Sequence, residues 1–115
     1  MGILSLFRRN KIQDPDAFVL LQLRKSGSNF SKPHPAEFFL YFPTQASAEQ
    51  AAGQIRDSGF QVQVGPAAKG DDWLCFATKE ILPDLPTLQK IRTQFESLSK
   101  SLGGEYDGWG TPLVQ

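Results

Sequence analysis

The chain is poor in the residues that do chemistry. It has one cysteine, Cys75, and one histidine, His34. A single cysteine excludes an intrachain disulfide and fits a reducing compartment. His34 stands between Pro33 and Pro35, which predicts a surface loop, and no second ligand type lies near it in sequence. A metal site or a histidine-based acid–base pair is therefore not expected. No nucleophile-elbow motif occurs. The glycines at Gly65-Pro66 and Lys69-Gly70 fit neither dinucleotide nor P-loop spacing. Neither charge is in surplus: Lys plus Arg and Asp plus Glu are both 12, for a formal net charge of +0. A general electrostatic grip on nucleic acid, which displaces counterions with excess cations, is not expected. The one local basic run is Arg8, Arg9 and Lys11. No apolar run approaches the length of about 18 residues that spans a membrane. Ile3 to Phe7 is too short for a signal-peptide core, and its charges follow it. Leu6 stands where myristoylation requires Ser or Thr. Together these features predict a cytoplasmic protein that is not an enzyme, with no cofactor, no metal and no membrane attachment.

What the chain does have is phenylalanine, nine copies in 115 residues. Rings in that number are buried in a core or mark a contact surface. The length suits one domain, able to bury a core without disulfide or metal staples. Residues 1–13, apolar to Phe7 and basic to Lys11, read as a flexible N-terminal arm. Residues 14–115 read as a single α+β domain.

Periodicity gives the element order. Asp14-Pro15 is a helix start, and a helix is expected over about 15–26, with Phe18, Leu21 and Lys25 on one face and Val19, Leu20 and Leu23 on the adjacent one. Ala36 to Phe42 reads as a strand apolar on both faces, so both faces should be covered. Ser47 to Ser58 reads as a helix with a small-residue stripe of Ala48, Ala51, Ala52 and Ile55, stopped by Gly59. Phe60 to Val64 alternates strictly, and Trp73 to Thr78 completes a hairpin with it. Asp84 to Leu102 is the longest helix, striped by Leu88, Ile91, Phe95 and Leu98. Glu105 to Gln115 reads as a compact turn and a tail. The result is a βαββα core with an extra N-terminal helix; a short last strand would complete a ferredoxin-like sandwich, with both later helices on one sheet face.

Three groups of residues are candidates for function. Tyr106-Asp107-Gly108-Trp109-Gly110 places two large amphipathic rings around an Asp-Gly turn, where Gly108 should take positive φ. The rings either pack on the sandwich or form a partner-binding patch. Phe39 and Tyr41, with Trp73 or Leu74, resemble the base-stacking face of RNA-recognition modules. The segment Asp71 to Phe76 lacks the basic residue and glycine of that consensus, so the helix at 15–26 is expected to cover this face. Cys75, in mid-strand, reads as a small buried hydrophobe.

The string Tyr106-Asp107-Gly108-Trp109-Gly110, after a long helix ending at Gly103-Gly104, resembles the carboxy-terminal signature of the regulator of ribonuclease activity B family. The order of elements before it is similar as well, over about residues 14–111. The resemblance implies a ferredoxin-like sandwich and a non-enzymatic protein that binds the non-catalytic scaffold part of ribonuclease E and modulates RNA decay. A protein partner, ribonuclease E or a related RNA-decay enzyme, is thus expected, and direct nucleic-acid binding is not. The best-known members of that family carry a long acidic tail, whereas this chain stops five residues after Gly110. Two alternatives remain on the residues alone: a small-molecule-binding regulatory module and a direct RNA-binding module on the same sandwich.

Overall fold

A computed structural model of the protein describes residues 15–68, 70–112 and 114. The expected arm at residues 1–13 and the cap at Asp14 lie outside the described residues. Among the described residues, three helices and four strands follow in the order α1 (Pro15–Lys25), β1 (His34–Phe42), α2 (Gln45–Asp57), β2 (Gln61–Pro66), β3 (Trp73–Ile81), α3 (Leu85–Ser101) and β4 (Glu105–Gly110). The strands form one antiparallel sheet in the order β2-β3-β1-β4. β1 and β2 flank β3 and are joined through α2; β3 and β4 flank β1 and are joined through α3.

Local chemistry sets the helix ends. Thr44 caps α2 by accepting from the Ser47 backbone N–H at 3.1 Å, while the Ser47 hydroxyl reaches back to the Thr44 N–H. This capping box starts the helix two residues ahead of the sequence expectation. Asp84 caps α3 by accepting from the Thr87 N–H at 2.8 Å, with Pro86 in the first turn where its missing N–H costs nothing.

Both α2 and α3 cover the same sheet face. Phe38 of β1 meets Phe95 of α3 edge-on at 5.5 Å. Cys75 sits opposite Leu40 on that face, and its Sγ–H donates to the Ala48 carbonyl of α2 at 3.1 Å. The small stripe Ala48, Ala51, Ala52 lets α2 come this close; all three are fully buried, as is Ile55. Phe38, Leu40, Phe42, Leu88 and Phe95 fill the space between sheet and helices.

Three expectations are corrected. First, α1 does not cover the opposite sheet face. It packs on α3 through Asp16, Val19, Leu20 and Leu23, which recur at helical spacing, with Arg92 Nε 3.0 Å from the Asp16 carboxylate. Leu21, on the other side of α1, is exposed. Second, His34 is not in a surface loop but is the fully buried first residue of β1. Its Nδ1–H donates to the Lys32 carbonyl at 2.8 Å, and its Nε2 lies 2.8 Å from the Ser28 hydroxyl. Pro35 fits this strand start because it occupies an outward, exposed position. Third, Asp107-Gly108 is not a turn after the last helix. It is a bulge inside β4, the strand that completes the sheet beside β1.

Candidate functional site

The Tyr-Asp-Gly-Trp-Gly string forms most of edge strand β4, and its register explains its composition. Gly110 pairs with Glu37, Trp109 with Phe38, Gly108 with Phe39, then Tyr106 with Leu40. Asp107 is the extra residue of the bulge. In a regular strand, residues three apart face opposite ways. The bulge resets that alternation, so Tyr106 and Trp109 both point toward the helices. Gly108 makes it possible with φ of 109°. Trp109 is 3% exposed and stacks on Phe38; Tyr106 is half-buried and meets Phe95 edge-on at 5.7 Å. Burial pushes the Tyr106 hydroxyl's pKa far up, helped by the carboxylate of Asp16. Asp107 is buried as well.

The five candidate contact residues are therefore held together but divided by direction. The rings of Tyr106 and Trp109 complete the core. Gly108 and Gly110, paired with Phe39 and Glu37, lie on the outward face and place no side chain there. A Cβ at Gly110 would meet nothing within 4 Å.

That outward face carries the second candidate group. Phe39 pairs with Phe76 and Tyr41 with Leu74 across β1 and β3. The Phe39 and Phe76 rings lie 5.4 Å apart at 56°. Burial raises the pKa of the Tyr41 hydroxyl, and the Asp107 carboxylate adds to the shift. No described helix packs on this face: α2 and α3 meet the sheet from the other side, and α1 meets α3. Trp73 turns toward the helices and joins the core margin, so Leu74 is the outward member of that pair. The partner of Phe39 that sequence reading missed is Phe76. Strict alternation along Leu74-Cys75-Phe76-Ala77 was the available signal, since it puts Leu74 and Phe76 opposite Cys75 and Ala77.

Cys75 is fully buried, as expected, and burial raises its thiol pKa to about 11, with Glu49 adding to the shift and Arg56 opposing it. It is a packing residue with a weak donor, not a nucleophile. Among the described residues, no group of three or more His, Cys, Asp or Glu could hold a metal ion, and no helix is long and apolar enough to cross a membrane. The groove lined by Pro35, Gly59, Gln61, Thr78, Lys79 and Glu80 is open to solvent, unlike a closed ligand pocket.

Comparison with known proteins gives one family. The family model described as regulator of ribonuclease activity B matches residues 13–111. A search of curated proteins returned no match.

Proposed function

Because the chain belongs to the regulator of ribonuclease activity B family, we propose that it is a non-enzymatic, protein-binding regulator of RNA decay. The partner in this reading is ribonuclease E or a related RNA-decay enzyme, and the mechanism is occlusion: a folded domain sits on the enzyme or its scaffold region and limits access to RNA. The family match over residues 13–111 is the observation that carries it. The domain is read as a ferredoxin-like sandwich, supported by the antiparallel order β2-β3-β1-β4 with two helical crossovers. Within the signature string, the contact is assigned to the outward edge formed by Gly108 and Gly110, with Tyr106, Asp107 and Trp109 holding that edge in shape. The site of action is the cytoplasm, where the lone thiol of Cys75 stays reduced.

The outward Phe39–Phe76 pair favours one competing reading, direct RNA stacking. Its surroundings oppose it. The outward positions of the four strands include Glu37, Glu80 and Glu105 and no Lys or Arg, so phosphates find no cations there.

A cleavage assay tests the proposal. Purified ribonuclease E containing its scaffold region is titrated with this protein, alongside the enzyme reduced to its catalytic part. Inhibition of the first and not the second is expected, with no cleavage by the protein alone. Unchanged cleavage at stoichiometric excess, together with no co-purification of the two proteins, would refute it.

A further inference from the structure

We propose that the loop between α1 and β1 is a peptide-binding site that reads one residue of an extended chain by its main-chain groups, and that the segment following β4 is its resident, displaceable occupant. The loop is fixed by its own hydrogen bonds. Gly27, at φ of 93°, ends α1; its N–H donates to the Arg24 carbonyl at 3.1 Å, and the Ser28 N–H to the Leu23 carbonyl at 3.0 Å. Asn29 then builds a turn. Its Oδ1 accepts from the Ser31 N–H at 3.0 Å and from the Ser31 hydroxyl at 2.6 Å, and its carbonyl accepts from the Lys32 N–H at 3.1 Å. His34 sets the Ser28 side chain. Because the His34 Nδ1–H goes to the Lys32 carbonyl, Nε2 is an acceptor, and the Ser28 O–H donates to it at 2.8 Å. The Phe30 ring meets the imidazole edge-on at 6.0 Å, and the Arg24 guanidinium lies 5.3 Å from the Phe30 ring centre. So built, the loop presents an acceptor and a donor side by side: the lone pairs of Ser28 Oγ and the N–H of Asn29.

Both groups are taken by one residue. The Val114 N–H donates to Ser28 Oγ at 3.0 Å, and the Val114 carbonyl accepts from the Asn29 N–H at 2.5 Å. Holding the N–H and C=O of a single residue is how an extended peptide is bound through its main chain. One further tie holds the segment: the Thr111 hydroxyl donates to the Pro35 carbonyl at 3.2 Å, beside Pro112, which has no N–H to offer β1. Thr111 and Val114 are only half-buried, so they lie on a formed site and do not fill the core. A segment tethered this closely acts at an effective concentration in the millimolar range, so a peptide in trans meets a closed site until the segment is loosened. The donor–acceptor pair also defines the ligand class. The residue it reads is extended and carries a free N–H, which excludes proline at that place.

The test uses the full, isotope-labelled chain and a capped synthetic peptide Gly-Thr-Pro-Leu-Val-Gln, the sequence of residues 110–115. The same peptide with proline in place of its valine is the control. Wild type is compared with Thr111→Val/Val114→Pro, which removes both donors of the segment and no group of the loop. Urea midpoints check that the variant is folded; Val114→Pro alone takes its place if it is not. Hydrogen exchange of the Asn29 amide is the readout. The Ser31 amide is the internal standard, because Asn29 Oδ1 holds it whether or not the site is filled. In the variant, Asn29 should exchange at least about tenfold faster while Ser31 stays protected. The valine peptide at about 10 mM should restore Asn29 protection in the variant and leave wild type unchanged, and the proline peptide should not restore it. Equal Asn29 exchange in wild type and variant would overturn the proposal, since the segment would not be the occupant. Failure of the valine peptide to restore protection would overturn it as well, because the contact would then exist in cis only. So would equal rescue by the proline peptide, or binding to wild type as tight as to the variant. Loss of Ser31 protection together with Asn29 in a folded variant would also overturn it, because the loop would then depend on the segment instead of standing ready for it.

Discussion

Trp109 stacks on Phe38 across the β1–β4 pairing, with ring centres 6.4 Å apart and planes 28° from parallel. Phe38 in turn meets Phe60 and Phe95 edge-on, at 5.6 and 5.5 Å. The last strand is thus tied into the centre of the core through Trp109, beside the contact of Tyr106 with Phe95. Truncation by Trp109→Ala should cost about 3–5 kcal/mol, the range for a buried large aromatic. Against a total stability of about 5–15 kcal/mol, that leaves the domain marginal. A urea midpoint equal to wild type would show that the indole is not part of the core. The indole N–H has no hydrogen-bond partner among the described residues, so Trp109→Phe should lose packing area but relieve an unsatisfied donor, and cost less than the Ala variant.

Gly104 shows the opposite kind of glycine to Gly110. A Cβ there would fall on the Tyr41 carbonyl oxygen and 2.5 Å from Cδ1 of Phe42. Both obstacles are fixed, one by the backbone of β1 and the other by full burial of Phe42. Gly104→Ala should destabilise by about 1–3 kcal/mol or more, as overpacking does. Gly110→Ala should stay within about 0.5 kcal/mol of wild type. Paired thermal or urea melts of the two variants check the contrast, and equal midpoints would contradict it.

Much of this architecture is legible in the sequence because burial stripes and alternation dictate it. The stripe Leu88, Ile91, Phe95 identifies α3 and its buried face, and Phe38, Leu40, Phe42 identify the inward face of β1. Gly108 has the positive φ that its place after Asp107 suggests. The misses share a cause: each depended on a side-chain or strand partner that the residue types alone do not name. Asp107-Gly108 serves in turns and bulges alike, and only pairing with β1 decides between them. His34 reads as exposed because prolines flank it, but Ser28 and Lys32 satisfy its ring inside the fold. The outward aromatics of β1 suggested a covering helix, yet α1 has its own attachment through Asp16 and Leu23 to α3. The candidate site was legible as a string of residue types. That its rings face inward and its glycines outward follows from the bulge, which one strand read alone does not reveal.

The attachment of α1 is open to a direct test. Asp16 is almost fully buried, and Arg92 Nε approaches its carboxylate at 3.0 Å. Removing the guanidinium leaves a buried negative charge without its cation, which costs more than losing a surface pair. Arg92→Ala should therefore destabilise by about 1–3 kcal/mol. Because α1 has few other buried side chains, its amides should lose more hydrogen-exchange protection than those of β1 or β3. Uniform loss across the domain would show that α1 and the sheet open as one unit, and would count against a separately anchored helix.

Alkaline pH offers a test that separates the Cys75 thiol from the Tyr106 hydroxyl. The Cys75 thiol is raised to about 11 from an ordinary 9.0, first by burial and then by Glu49. The Tyr106 hydroxyl is raised beyond the ordinary alkaline range, first by burial and then by Asp16. In both cases the neutral, protonated form is the one the folded protein holds. The unfolded chain deprotonates at the lower, ordinary pKa, so it gains stability before the folded state does. Each contribution is therefore complete below the unfolded pKa and is lost as pH rises toward the folded one. The thiol should begin to erode stability near pH 9 and finish near 11, for a total on the order of 2–3 kcal/mol. The tyrosine should begin near pH 10 and continue upward. Urea midpoints taken at steps between about pH 8 and 11 should fall with a slope that steepens above 10. Cys75→Ala should flatten the part that starts near pH 9, and Tyr106→Phe the part above 10. At about pH 8, iodoacetamide should label Cys75 slowly in the folded protein and rapidly in urea, because the Sγ is buried and donates to Ala48. A wild-type profile flat from pH 9 to 11, or fast labelling of the folded protein, would mean that the thiolate is accommodated where the structure buries the thiol.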